Sequence, residues 1–252
     1  VMPHFQAFAF PHLTAIALTF TIPLGLSIVV RYAKSERLIA LICYVYAVLL
    51  IGQEFTLFGW RLTTYGLWGK EGLLNHLPFH ICGVLVFLIS VMLIWRKQNL
   101  FEAAYFWGLV GTLGALIFPD LGEGEGCPSF RFFQYFLAHS GIIGGVLFAT
   151  WGLQMQPTLK GLFQSFVAIN LYMVIAVFIN LIMHNWVPES NYMYVCEPPD
   201  IPYKEIFFFA PHPWYIPFLD LLTIVLFFLV YVPFALMNFI RRQGTTSSEL
   251  QS

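Results

Sequence analysis

The chain has 252 residues, 59% of them hydrophobic and 10% charged, with a net charge of −1 and a mean hydropathy of +0.75. A soluble domain carries about 25% charged residues, so this composition excludes a single water-soluble core and makes the chain a polytopic membrane protein. The near-zero charge lacks the basic footprint that a nucleic-acid binder needs. Membrane lipids are the expected partners, and no nucleic acid is.

A helix needs about 20 apolar residues to cross a bilayer. Seven such runs follow one another, over roughly 12–30, 38–58, 77–95, 101–119, 131–151, 159–183 and 214–239. The expected fold is all-α: one transmembrane domain over 1–242, a bundle of seven transmembrane helices, followed by a polar tail at 243–252 expected to be disordered. Pro23 is expected to kink the first span. No basic residue precedes that span, so it is expected to act as its own insertion signal.

Lys and Arg set the orientation. Arg31, Lys34, Arg37, Arg96, Lys97, Lys160, Arg241 and Arg242 fall at one side of a seven-span bundle, and Arg61, Lys70, Arg131 and Lys204 at the other. The first set is the larger and is read as cytoplasmic. The N-terminus is then outside, the C-terminus and its tail inside, and the protein multi-pass in the cell membrane. The outer loops are 59–76, 119–130 and 184–213. The last is long and aromatic, as lids often are.

Titratable groups inside apolar runs are costly and mark candidate sites. His139 lies two turns into the fifth run, on one helical face with Arg131 and Tyr135. A neutral imidazole there can act as a general base; a structural histidine bonding a neighbouring span is the competing reading. His80 enters the third run, with His76 one turn earlier, a pair that is only a weak metal-ligand signal without a third ligand. Glu54 closes the second run beside Gln53. Asn180 and His184 share a face at the outer end of the sixth run and are expected at the mouth of an outward-opening polar cavity. Asn170 is expected to bond a neighbouring helix. Gly141 and Gly145 form a small-xxx-small pair that lets another helix approach. The glycine-rich Gly122–Gly126 stretch carries two carboxylates and is no phosphate cradle.

Four cysteines are too few for a disulfide scaffold. Cys43 and Cys82 fall inside runs. Cys127 and Cys196 fall in outer loops, where disulfides persist, and are the candidate disulfide pair; two free loop thiols are the competing reading.

Several motifs stand in a fixed order: Leu77-Pro78-x-His80-x-Cys82, Phe101-Glu102-x-x-Tyr105-Phe106-Trp107-Gly108, Pro119-Asp120-Leu121, Arg131-Phe132-Phe133-Gln134, His139-x-Gly141, Asn191-Tyr192-Met193 and Pro213-Trp214-Tyr215. Together they resemble the YwaF-like bacterial integral membrane family. The chain is also distantly similar to eukaryotic transmembrane protein 164, an acyltransferase acting on ether phospholipids through a cysteine and a histidine. The resemblance puts that histidine at His139 and that cysteine immediately before His80, where this chain has Phe79. Cys82, one turn beyond Phe79 on much the same face, is the thiol within reach of that place.

Three functions are weighed. The first is a lipid-active enzyme for acyl transfer or acyl-ester hydrolysis, with His139 as base, Cys82 as candidate nucleophile, and His80 and Glu54 as orienting or electrostatic groups. Gln134, Tyr135, Asn180, Asn191, Tyr192, Trp214 and Tyr215 are its expected substrate contacts, and no cofactor is expected. The second is a non-catalytic binding or transport protein holding a small ligand or lipid in the same cavity. The third is a metal-dependent membrane enzyme built on His76, His80, His139 or His184 with Glu54.

Overall fold

A computed structural model describes residues 4–64, 66, 69, 74, 76–198, 205 and 208–249. Among these, seven α-helices run in order: α1 (Phe10–Ala33), α2 (Glu36–Thr64), α3 (Ile81–Trp95), α4 (Gln98–Ile117), α5 (Phe130–Trp151), α6 (Leu159–Met183) and α7 (Tyr215–Glu249), with a 3-10 turn at Tyr192–Tyr194 between the last two. Six are long and apolar enough to cross a membrane; α3 is not. Lys70, Glu71 and Lys204 lie outside the described residues.

The third run departs from the expected span over 77–95. Its helix is 15 residues long, about 22 Å at 1.5 Å per residue, against a hydrocarbon core of about 30 Å. Residues Leu77–His80 precede it as non-helical backbone. Such backbone survives at membrane depth only where protein covers it. α3 is apolar all round, and a helix of that kind is buried: Leu85, Ile89, Met92 and Leu93 are fully enclosed by α2, α4 and α5. The entry is tight as well. A Cβ on Gly83 would sit 2.8 Å from Pro78 Cβ, so only glycine lets the incoming segment fold back over the first turn.

The core joins α2, α3, α4 and α5, with Phe227 of α7 and Leu162 of α6 closing one side. α1 packs on α5, and α7 on α4 and α6. Gly141 and Gly145 do admit close neighbours. A Cβ on Gly141 would come within 2.5 Å of Leu50 of α2, and one on Gly145 within 2.5 Å of Ile89 of α3. Tyr46 then donates its hydroxyl to Gly141 O over 2.8 Å.

The last helix is the longest of the seven, at 35 residues. It continues to Glu249, into the tail for which disorder is expected. Once a span has paid nucleation, each further residue adds one hydrogen bond, and no proline follows Pro233 to stop it.

Candidate functional site

The helices reverse at each connection, so the starts of α1, α3, α5 and α7 meet the ends of α2, α4 and α6. The candidate residues gather at this end. α5 begins at Ser129, whose Oγ accepts from Phe132 N over 3.1 Å, a side-chain cap. Arg131, Tyr135 and His139 then stack along one face: the guanidinium carbon lies 5.3 Å from the Tyr135 ring centre, and the His139 ring 4.1 Å beyond it, tilted by 28°.

His139 Nδ1 meets Tyr135 O at 2.8 Å. A carbonyl only accepts, so Nδ1 carries the proton and Nε2 keeps its lone pair. Tyr135 is held in turn, its hydroxyl donating to Ala115 O over 3.1 Å and accepting from Asp120 N over 3.3 Å. α4, the 118–129 loop and α5 are therefore tied at one phenol.

A polar ladder crosses to α2. Glu125 pairs with Arg131 Nε at 3.8 Å, and Arg131 Nη1 donates to Gln134 Oε1. Gln134 Nε2 donates to Gln53 Oε1 over 2.8 Å, and Gln53 Nε2 reaches Glu54 Oε2 at 3.4 Å. Gln53 and Gln134 are buried, so each amide satisfies the other where water does not reach.

The 184–213 loop, where described, is an ordered cover. Asn180 Nδ2 donates to Tyr192 O and Tyr192 N to Asn180 Oδ1. The Tyr192 hydroxyl bonds Leu74 O over 2.8 Å, and Tyr215 of α7 donates to Tyr194 O over 2.6 Å. His80 stands at the N-cap position of α3 without a side-chain cap bond, and its exposed side chain lies beside this cover, the ring 5.2 Å from both Tyr192 and Tyr194. Tyr194 marks where the parts converge. Burial pushes its phenol above the ordinary value, and the Asp120 carboxylate pushes the same way.

Some expected contacts are used otherwise. Asn191 closes its own loop, with Oδ1 accepting from Cys196 N at 3.1 Å and Nδ2 donating to Glu197 O at 2.8 Å. Tyr215 is a buried anchor of the cover, while Trp214 is 69% exposed. His184 lies exposed at the end of α6, whereas Asn180 is buried. The candidate Cys127–Cys196 disulfide is not formed, and all four cysteines are free thiols. Cys127 packs against the buried cluster of Leu116, Phe132 and Phe136, while Cys196 is held in the turn made by Asn191, so the two belong to different clusters. Among the described residues no three His, Cys, Asp or Glu side chains converge as a metal site.

The sequence profile of the TMEM164 family matches residues 7–231. The chain belongs to the TMEM164 family. No curated protein and no solved structure matches it. In this TMEM164-family chain the matched region takes in every candidate residue named above. Where the resemblance puts a cysteine, Phe79 has its carbonyl bonded by the Tyr172 hydroxyl over 2.7 Å and its ring edge-on to Tyr192 at 5.3 Å.

Two polar groups within the apolar runs were not singled out from sequence. His12 is 1% exposed, accepts from Phe8 N through Nδ1 over 2.9 Å and donates through Nε2 to Leu116 O over 2.8 Å. It pins the start of α1 to the end of α4 inside a ring of Phe5, Phe8 and Phe136. Asp220 shares with Asn170 a largely apolar groove of about 480 Å³ between α6 and α7. Being the lone charge in the run 214–239 was the signal that marked it.

Proposed function

We propose that this protein is a lipid-active membrane enzyme that transfers or hydrolyses acyl esters at the histidine end of its bundle. The observation that carries the reading is the tautomer of His139. Its proton is held on Nδ1 by Tyr135 O at 2.8 Å, which leaves Nε2 as a base inside an apolar helix. In this reading Nε2 takes the proton of the attacking group, either the hydroxyl of water or a lysolipid acceptor, or the Cys82 thiol. The acyl carbon–oxygen bond breaks, and the departing glycerol oxygen takes up that proton. With Cys82 as nucleophile a second attack, by the acceptor hydroxyl, forms the new ester bond and breaks the thioester C–S bond, and the acceptor's proton passes through Nε2 to the leaving sulfur. His80 and Glu54 orient the ester and answer its developing charge. Membership of the TMEM164 family supports the reading through the acyltransferase that the sequence resembles, as does the aromatic cover, which can exclude water.

The proposal includes a topology. α3 with its extended entry makes the seventh crossing, and the histidine end faces outward in the cell membrane, on a YwaF-like bacterial pattern. The support is charge: Arg31, Lys34, Arg37, Arg96, Lys97 and Lys160 all flank the opposite helix ends.

The test is purified protein in liposomes with a labelled phospholipid and a lysophospholipid acceptor, products read by mass spectrometry. New acyl species, lost in a folded His139→Ala variant, are the expected result. Turnover that survives in that variant removes His139 as base. One feature favours the rival reading, a binding or transport protein without chemistry: along the ladder from Glu125 to Glu54 the polar groups engage one another, as in a structural network. Absence of turnover by folded wild type, with a lipid co-purifying, would transfer the conclusion to that reading.

A further inference from the structure

The opposite end of the bundle is built from short connections. Lys34 and Arg96 terminate α1 and α3 in left-handed conformations, φ 47° and 50°, and their backbone N–H groups close on Val30 O and Met92 O. With Arg31 from the last turn of α1, they line a cavity of about 620 Å³ bordered also by Gly152 and Gln154 from the turn after α5. Its lining includes three cations and one carboxylate, Glu36. That carboxylate is 81% exposed and meets only one nitrogen of Arg96, at 3.0 Å, a pairing that water screens. Arg96 Nε is buried without a hydrogen-bond partner. The wall therefore holds an uncompensated positive charge in a concave space.

The depth of the cavity suits a lipid. Tyr32 and Trp95, adjacent in sequence to Arg31 and Arg96, are 86% and 65% exposed, as aromatics are at the headgroup level. Ile39 and Met155 add apolar wall to the same cavity. Basic pockets between helices at this level take anionic headgroups.

We infer that this cavity binds an anionic phosphate group, supplied by a phospholipid headgroup of the surrounding leaflet. Arg31, Lys34 and Arg96 hold the phosphate oxygens, and the apolar wall takes the first carbons of the glycerol ester. The inference is independent of the acyl chemistry, since it concerns the other end of the bundle.

The test uses the full chain in detergent micelles, titrated separately with phosphatidylglycerol, phosphatidylcholine and inorganic phosphate, with bound species counted by native mass spectrometry. Arg31→Gln/Lys34→Gln is the main variant, because neither side chain is buried in the core. Arg96→Gln is the second, with its melting temperature measured to register loss of the Glu36 pair. Phosphatidylglycerol is expected to be retained in preference to phosphatidylcholine, and to weaken about fivefold for each charge removed. Competition by inorganic phosphate that the double variant abolishes would keep the phosphate site and assign it to a soluble source. Equal retention of both lipids, or phosphatidylglycerol binding unchanged in the double variant, overturns the inference.

Discussion

Asn180 and Tyr192 exchange two hydrogen bonds, Nδ2 to the Tyr192 carbonyl at 3.0 Å and the Tyr192 N–H to Oδ1 at 2.8 Å. A buried carboxamide thus replaces the backbone partners that the cover lacks, and it fastens the 192–194 turn to α6. Loss of Asn180 in an Asn180→Leu variant leaves a buried N–H and C=O unpaired, at a cost of about 1–3 kcal/mol each. The expected outcome is faster hydrogen exchange across 190–197, with the exchange of α4 and α5 unchanged. Uniform protection in wild type and variant would show that the tyrosine anchors alone hold the cover.

The Gln53–Gln134 pair joins α2 to α5 at 2.8 Å. Polar pairs between spans contribute about 0.6 kcal/mol on average and up to about 1.7. A double-mutant cycle with Gln53→Leu and Gln134→Leu, followed by unfolding in mixed micelles, should return a coupling in that range. The single Gln134→Leu variant should cost more than the double, because it orphans both Arg131 and Gln53. Strict additivity would contradict the ladder.

Glu102 is a buried carboxylate at the start of α4 that serves α6. Its Oε1 accepts from Thr158 Oγ1 at 2.7 Å and Thr158 N at 3.1 Å, so a negative charge faces the N-terminus of α6. A Cβ on Gly161 would collide with both carboxylate oxygens of Glu102. Gly161→Ala is therefore expected to destabilise by several kcal/mol, since a packed carboxylate cannot withdraw without losing its partners (roughly the upper range for single substitutions). Glu102→Gln should cost less, about 1–2 kcal/mol, by removing the charge and keeping the shape. Thermal melts of both variants check the order.

His76 gives the pH dependence. Burial, and after it the Arg61 guanidinium, push its imidazole below the ordinary histidine value, and Nε2 is buried without a partner. The folded ring binds less proton than the unfolded one. Stability at this group is thus unaffected at neutral pH and declines as the pH falls through the ordinary histidine range, near about 6.5. Melting temperatures between pH 7.5 and 5 should fall for wild type and fall less for His76→Gln. Parallel slopes would assign the acid sensitivity to another group.

Much of this protein is legible along the chain. The helices, their order and the short basic connections follow from run length, and run length is a local property because each residue's transfer into the bilayer contributes nearly independently. His139, His80, Glu54 and Asn180 stood out for the same reason: a polar group is costly in an apolar run wherever the run later packs. The same reasoning applies to Asp220, the lone charge in the run 214–239.

Contacts between runs were decided by the tertiary structure alone. Spacing could not show that α3 is a 15-residue helix enclosed by its neighbours, because an apolar run reads the same against lipid as against protein. Nor could it show that Cys127 and Cys196 belong to separate clusters, that Tyr215 anchors a cover, or that the His80 ring lies against Tyr192 and Tyr194. Those outcomes depend on helix rotation and on how closely backbones approach, which small residues such as Gly83, Gly141 and Gly145 permit without naming the partner. The amino-acid sequence by itself determined what enters the membrane and which groups are costly there; only the fold decided which of them meet, because packing is a relation between helices and partitioning is a property of each.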